Sequence, residues 1–409
     1  MQKIIYVHCQ LEDQNYLVGT LWPHAAKGRQ SATFEYNDQW LKNQKAFSLE
    51  PALPLGKGVF QTEARLSLFR SMGDSAPDRW GRMLMQRHER KHAKVRGITP
   101  RTLLESDYLL QVNDLARQGA LRFSTTEKGP FLTADTSNPI PPLVQLTALL
   151  SASNRVQKNT ETDHDMEILF APGASLGGAR PKAMVLDMNN EILIAKFPLY
   201  LDEYDMQRWE AVALTLAKKC DINVPCFRLV PVDNSFILLV SRFDRNKQLR
   251  IPFVSALTML GANDNEQRSY LEIADIIRSY GSCPQKDLRE LFRRIIFSIL
   301  ISNVDDHLRN HGFLRDSSGW RLSPVYDINP TPSDINERVL STCIDFDNPT
   351  GSVDIALEVC EFFDLQKNQA EKIIRNMARI IKDWRNAARN QGIPEIEMER
   401  MASAFSYEL

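Results

Sequence analysis

The chain has 409 residues, 43% of them hydrophobic and 25% charged, which is enough for two or three packed domains with ordinary apolar cores. Lys and Arg number 50 against 51 Asp and Glu, so no global field draws the protein to nucleic acid or a membrane surface, and DNA contact requires a local patch or a partner. The cysteines Cys9, Cys220, Cys226, Cys283, Cys343 and Cys360 show no CxxC spacing and no apolar run nears the length of a membrane span, which sets aside a zinc site, a disulfide frame and a membrane anchor and fits buried thiols in the cytoplasm.

In chain order, Met1 to Val7 alternates apolar and polar side chains as a strand does, and so do Leu17–Trp22 and Ala32–Tyr36; a small β-rich module opens the protein. From Arg65 the pattern becomes helical: Asp74 or Ser75 is placed to cap and Pro77 to open a helix running through Arg90. The basic run Arg87 to Lys94 reads as a solvated helix face and the linker after it. Between Ser124 and Pro142 lie Gly129, Pro130, Pro139, Pro141 and Pro142, so this stretch is a connector around an edge strand rather than helix or central sheet.

A glycine turn at Gly173 to Gly178 then leads into strands at Lys182–Leu186 and Ile192–Phe197, a helix at Met206–Lys219, and strands at Phe227–Val232 and Phe236–Phe243. That order is the order of a small nucleotide-gripping lobe. After Asp244 the chain turns mostly helical, with Leu288, Leu291, Phe292, Ile295, Ile296, Ile299 and Leu300 forming an apolar stripe at helical spacing. No repeat of solenoid period is present. The expected organisation is a module over 1–125, a connector over 126–145, a nucleotide-binding lobe over 146–244 and an all-helical catalytic lobe over 245–409.

Directly after the apolar helix stands Asn303-Val304-Asp305-Asp306-His307-Leu308-Arg309-Asn310, a polar loop on a buried scaffold. Phosphoryl transfer requires an acceptor for the hydroxyl proton, a neutral oxygen ligand for magnesium and a carboxylate joining metal to phosphate; Asp305, Asn310 and Asp327 supply those groups in that order. The Asp-x-x-x-x-Asn spacing matches the end of a kinase catalytic loop. Trp320 to Ile328 reads as a strand ending on the Asp327 carboxylate, where the second metal-binding aspartate of a kinase stands. Two other readings remain open at this point: Asp305 and Asp306 as helix caps or acceptors from Arg309 with His307 as a satisfied buried histidine, or Asp306, His307 and His311 as metal ligands of a hydrolase, which leaves Asn310 and Asp327 idle.

Upstream, Ser175-Leu176-Gly177-Gly178-Ala179-Arg180-Pro181-Lys182 carries paired glycines that let backbone amides approach phosphate, and is equally the sequence of a hairpin turn. Lys196 ends a strand and Glu210 lies on the helix after it, as the phosphate-binding lysine and its bracing carboxylate do in kinases. Taken singly each is an ordinary surface charge; glycine turn, strand lysine, helix glutamate, helical lobe, Asp-x-x-x-x-Asn and strand aspartate in this order are what point to a kinase. Leu239 to Arg245 runs from strand into polar residues, so its backbone is placed to meet an adenine edge, or else it is a strand end with an Arg/Asp pair.

These residues resemble the HipA-like toxins of bacterial type II toxin–antitoxin modules, through Ser175 to Lys182, Arg242-Phe243-Asp244-Arg245, Asp305 to Asn310 and Tyr326-Asp327-Ile328, with Gly73 to Arg82 similar to that family's amino-terminal domain. The resemblance spans nearly the whole chain. It implies an α+β, protein-kinase-like bilobal fold, with an α/β N-terminal part and an all-α C-terminal lobe, that binds ATP and Mg2+ and phosphorylates protein Ser or Thr. In the family such targets are aminoacyl-tRNA synthetases, glutamyl-tRNA synthetase among them, and their modification stops growth.

Carried over by position, the resemblance makes Asp305 the catalytic base, with His307 bracing its loop, and Asn310 and Asp327 the magnesium ligands. Lys196 becomes the phosphate-binding residue with Glu210, Ser175 to Ala179 the phosphate loop, and Ser241, Arg242 and Phe243 the adenine hinge. Ser175 matches the autophosphorylated serine, whose phosphate would expel the Gly177-Gly178 loop and inactivate the enzyme. A helix-turn-helix, HipB-like antitoxin that carries the complex to operator DNA is implied as partner. The alternative is a nucleotide-holding pseudokinase acting as co-repressor with that antitoxin. The chain departs from the best-known branch at Ile251-Pro252-Phe253-Val254-Ser255, which lacks the Gln and acidic pair found there, so the target is not carried over.

Overall fold

The computed structural model describes residues 3–26, 29–132, 140–173 (171–173 as backbone), 179–247, 249–334 and 337–407. Two compact units result: residues 1–201 with 231–254, and residues 202–230 with 255–409. Among the described residues no helix is long and apolar enough to cross a membrane.

The first unit opens with a five-stranded sheet in the order β4-β3-β2-β1-β5, built from β1 (Ile5–Leu11), β2 (Gln14–Ala26), β3 (Arg29–Tyr36), β4 (Val59–Gln61) and β5 (Leu121–Ser124). Alternation explains it: Ile5, Val7 and Cys9 point one way and are fully buried. The strand begins at Ile5; Lys3 and Ile4 are exposed and outside it, and Met1 and Gln2 lie outside the described residues. Gly19 allows β3 to approach, since a Cβ there would fall 2.2 Å from the Glu35 carbonyl oxygen.

The predicted helix after Arg65 exists but starts and ends elsewhere. It spans Arg79–Arg96, capped by the Asp78 carboxylate, which accepts from the Trp80 N–H at 3.2 Å. Asp74 and Ser75 instead follow a separate short helix at Arg70–Gly73, and Pro77 precedes the cap. The basic run Arg87 to Lys94 is therefore helical throughout, and the helix stops at Gly97, whose φ of +65° is one that glycine adopts without strain. Its buried face joins Met85 to Leu103, Tyr108 and Val112.

A second sheet pairs β6 (Lys182–Leu186), β7 (Ile192–Lys196) and β9 (Ser235–Ser241) antiparallel, with β8 (Phe227–Val232) the strand in which the chain passes from one unit to the other. Met184 packs with Ala116 and Ile140, and Leu186, Ile192 and Ile194 lie against them. Several boundaries differ from expectation: β7 stops at Lys196 rather than Phe197, and β9 begins at Ser235 rather than Phe236. Gly173 ends the helix Asp163–Gly173 rather than opening a turn, and β9 stops at Ser241, short of Phe243, because Arg242 turns into a buried charge cluster.

In the second unit the helix Met206–Lys219 starts at Asp205, whose carboxylate accepts from the Arg208 N–H at 3.0 Å. It buries Trp209, Val212, Ala213 and Leu216, one face at helical spacing, and the Trp209 Nε1–H donates to Glu397 at 2.8 Å. The apolar stripe lies on Pro284–Leu300, with Pro284 in its first turn and Leu288, Leu291, Phe292, Ile295, Ile296 and Ile299 fully buried. Tyr270–Tyr280, begun by a Ser269/Glu272 capping box, packs against it. A short ladder of Gly312–Arg315 with Trp320–Leu322 follows. The strand expected to reach Ile328 ends at Leu322, where Pro324 interrupts the pattern of donors.

Candidate catalytic loop and nucleotide-binding segments

The helix Pro284–Leu300 gives way to the polar loop through Ser302, at φ +53°, and Asn303, whose N–H donates to the Ser298 carbonyl at 2.8 Å. The next residues separate two adjacent carboxylates. Asp306 is buried and accepts from the Tyr270 hydroxyl at 2.5 Å and the Ser298 hydroxyl at 3.2 Å, with His311 Nε2 at 3.1 Å. Burial alone would raise its pKa; the His311 charge and these hydrogen bonds outweigh burial and hold it below the usual carboxylate range. Thr342 donates its hydroxyl to the Asp306 carbonyl at 2.7 Å, and the Ser341 N–H donates to the Val304 carbonyl at 3.0 Å. The loop is thus pinned from both sides.

Asp305 is different. Its residue is exposed and its carboxylate accepts no hydrogen bond among the described residues. Partial desolvation raises its pKa, the His307 ring lowers it, and the Asp327 and Asp306 charges raise it again, with a net upward shift. The Asp327 charge is thus among those that act on Asp305. Asn310 is buried, its amide N–H donates to the Asp305 carbonyl at 2.9 Å, and its N–H donates to the His307 carbonyl at 2.8 Å. The His307 backbone N–H donates to the Asp305 carbonyl at 2.9 Å.

Asp327 sits at φ +59°, in irregular chain rather than at the end of a strand. Flanking tethers place it: the Tyr326 hydroxyl donates to the Arg309 carbonyl at 2.5 Å, and the Asn303 side-chain oxygen accepts from the Asn329 N–H at 3.3 Å. An amide oxygen and a carboxylate, the groups that Asn310 and Asp327 carry, are hard-oxygen donors of the kind a magnesium ion accepts. The hydrolase reading loses support, because Asp306 and His311 face each other in the buried network. Among the described residues no three His, Cys, Asp or Glu side chains converge as a metal cluster. Tyr270, Ser298 and Thr342, which hold this loop, carried no signal in the sequence beyond ordinary core and turn patterns.

In the first unit, Lys196 ends β7 half-buried, opposite Lys182 in the ladder. In the second, Glu210 is buried on Met206–Lys219. Ser175, Leu176, Gly177 and Gly178 lie outside the described residues, and Ala179 is exposed. Ser241 ends β9, with Ile194 opposite Val240 and Leu193 opposite Ser241. The Arg242 side chain is buried and committed to Asp244 and to the Ala116 and Arg117 carbonyls at 2.7 and 3.0 Å. Only its backbone remains for a hinge role, and the Phe243 ring lies 6.3 Å from that of Phe253.

Comparison with known proteins bears on the family and the fold. Residues 174–385, a little over half of the chain, match the family model of the HipA-like C-terminal domain. A Haemophilus influenzae protein named "Putative kinase" is 26% identical over 198 residues, 41% of this chain and 57% of that protein. "Putative kinase Y4dM" of Sinorhizobium fredii is 27% identical over 138 residues, 30% of this chain and 33% of that one; the matches thus take in about half or less of these relatives. Among solved structures, HipA from the Shewanella oneidensis MR-1 toxin–antitoxin complex of HipA, HipB and operator DNA superposes with a TM-score of 0.62 at 18% identity, covering 98% of this chain and 95% of that one. The likeness establishes the α+β, kinase-like fold.

Proposed function

The chain belongs to the HipA-like C-terminal domain family, and on that premise we propose that it is a serine/threonine protein kinase, the toxin of a type II toxin–antitoxin module. In this reading Asp305 accepts the proton of the attacking hydroxyl, Asn310 and Asp327 hold Mg2+, and Lys196, braced by Glu210, engages the ATP phosphates. Ser175 to Ala179 form the phosphate loop, and the backbone of Ser241 to Phe243 meets adenine. When bound, the metal neutralises charge on the transferred phosphoryl group.

The observation that carries the reading is the division between the two aspartates: Asp306 is consumed by Tyr270, Ser298 and His311, while Asp305 accepts no hydrogen bond, has a raised pKa and lies near Asp327. A raised carboxylate suits a general base. The proposal extends to self-inactivation by phosphorylation of Ser175, to a cytoplasmic protein target of the aminoacyl-tRNA synthetase class, and to a HipB-like antitoxin that supplies most of the contact with operator DNA. The near-zero net charge agrees with that division of labour.

The test is incubation with labelled ATP, Mg2+ and cell extract. The intact chain is expected to label a protein band and to gain phosphate at Ser175, and Asp305→Ala and Asp327→Ala each to abolish both. Unchanged labelling by both variants overturns the assignment. Nucleotide binding without transfer to any protein supports the co-repressor reading instead.

A further inference from the structure

The arginine and aspartate side chains that follow β9 form a buried cluster with the loop Asn113–Gly119 of the N-terminal module, all within the first unit. Arg242 donates to Asp244 from Nε and Nη2 at 2.8 and 2.5 Å, and to the Ala116 and Arg117 carbonyls at 2.7 and 3.0 Å. Asp244 accepts from the Gly119 N–H at 2.7 Å. Arg245 donates to the Gly119 carbonyl at 3.1 Å and to the Arg117 carbonyl at 2.5 Å, and Arg250 to the Asp114 carbonyl at 2.5 Å and its carboxylate at 3.1 Å. Gly119 also touches the aromatic layer next to this segment. With φ +71°, it sits where an added Cβ would lie 3.2 Å from the Phe253 nitrogen, and Phe253 packs on Phe243.

Stability alone does not call for this arrangement. Arg242, Arg245 and Arg250 are largely desolvated with Asp244 and Asp114 as their carboxylate partners, and the buried Arg117 donates to the Ser75, Leu109 and Val112 carbonyls; apolar residues of similar volume often serve a core as well or better. What the charged cluster supplies is direction: planar guanidinium forks bonded to carbonyls of a distant loop set the position of the segment they belong to. That segment begins at Ser241. We infer that the loop Asn113–Gly119 is a positioning element for nucleotide binding, holding the backbone of Ser241 to Phe243 in the pose that receives adenine. The inference rests on the kinase reading above and adds a task for the N-terminal module within it.

The experiment measures the affinity of the full chain for the non-hydrolysable analogue AMP-PNP with Mg2+ by calorimetry, alongside thermal melting without nucleotide. Gly119→Ala pushes the loop against Phe253, and Arg245→Lys keeps the charge but loses the fork. Tyr36→Phe, which removes the bonds between the Tyr36 hydroxyl and Leu53 and Leu49 far from the cluster, controls for general destabilisation. The expected result is a dissociation constant raised about tenfold or more in both cluster variants, as displacement of a positioning group produces, with the control binding as the intact chain does. If Gly119→Ala does not fold, Arg245→Lys decides. Unchanged affinity in a folded cluster variant overturns the inference while leaving the kinase reading intact; failure of the intact chain to bind the analogue overturns both.

Discussion

Exchanging each of the two neighbouring aspartates for asparagine should separate catalysis from stability. Asp306→Asn keeps the shape but removes the charge that faces His311 and turns one acceptor oxygen into a donor beside the Tyr270 and Ser298 hydroxyls. Leaving buried hydrogen-bonding partners unsatisfied costs about 1 to 3 kcal/mol. For a unit of this size each kcal/mol moves the midpoint by about 2 to 4 °C, so melting should fall by about 2 to 12 °C. Asp305→Asn loses no hydrogen bond and relieves repulsion from Asp327 and Asp306; at an exposed residue its effect on stability should stay within about 0.5 kcal/mol, while phosphoryl transfer is abolished. Circular-dichroism melts and labelled-ATP transfer read the two quantities separately. A destabilised Asp305→Asn, or an Asp306→Asn as stable as the parent, refutes the division of roles.

Three further outcomes follow from closely packed groups. Glu50 is buried and burial lifts its pKa from 4.5 to about 7 despite the Ser71 N–H it accepts; the folded state then binds the extra proton between those values, so stability falls as pH rises from 4.5 through 7, by about 3 kcal/mol in all. Glu50→Gln should remove that slope in urea titrations at pH 5 and pH 8, and equal slopes in both proteins would refute it. Tyr270→Phe leaves Asp306 short of one donor and should cost about 1 to 3 kcal/mol while lowering transfer by loosening the loop, read from melting and initial rates together. Gly281→Ala places a Cβ 2.3 Å from the Ile277 carbonyl oxygen, so the end of Tyr270–Tyr280 must shift, at about 1 to 3 kcal/mol, measurable as a lower urea midpoint.

What the sequence made legible was whatever is periodic or local. The strands β1 to β3 and β6 to β9 and the helices Met206–Lys219 and Pro284–Leu300 follow from alternation and helical spacing that burial then enforces, whereas β4 and β5 carried no such pattern. Chain-local competition was harder to read. Three polar residues near Pro77 were each able to cap a helix, and the choice of Asp78 depended on Trp80 reaching the Lys182 carbonyl, 3.0 Å away and 102 positions on. The strand towards Asp327 has the right alternation, yet Ser323 already closes its ladder by donating to the Gly312 carbonyl at 2.8 Å, and Pro324 offers no N–H to continue it.

The candidate site divides along the same line. Asp305 and Asn310 were legible because they lie on one loop, where spacing alone fixes which groups can meet. The task of Asp306 was not, because its partners Tyr270 and Ser298 come from two helices and look in the sequence like a core aromatic and a small interior residue. The same holds for Arg242: its motif was visible, but the carbonyls it recognises belong to residues 126 and 125 positions away, and a carbonyl has no sequence signature. A motif read from side chains therefore names candidate reactive groups and leaves their supports unread. In the proposed reading the supports matter as much as the reactive groups: Asp306 is occupied by Tyr270 and Ser298, while Asp305 beside it accepts no hydrogen bond among the described residues.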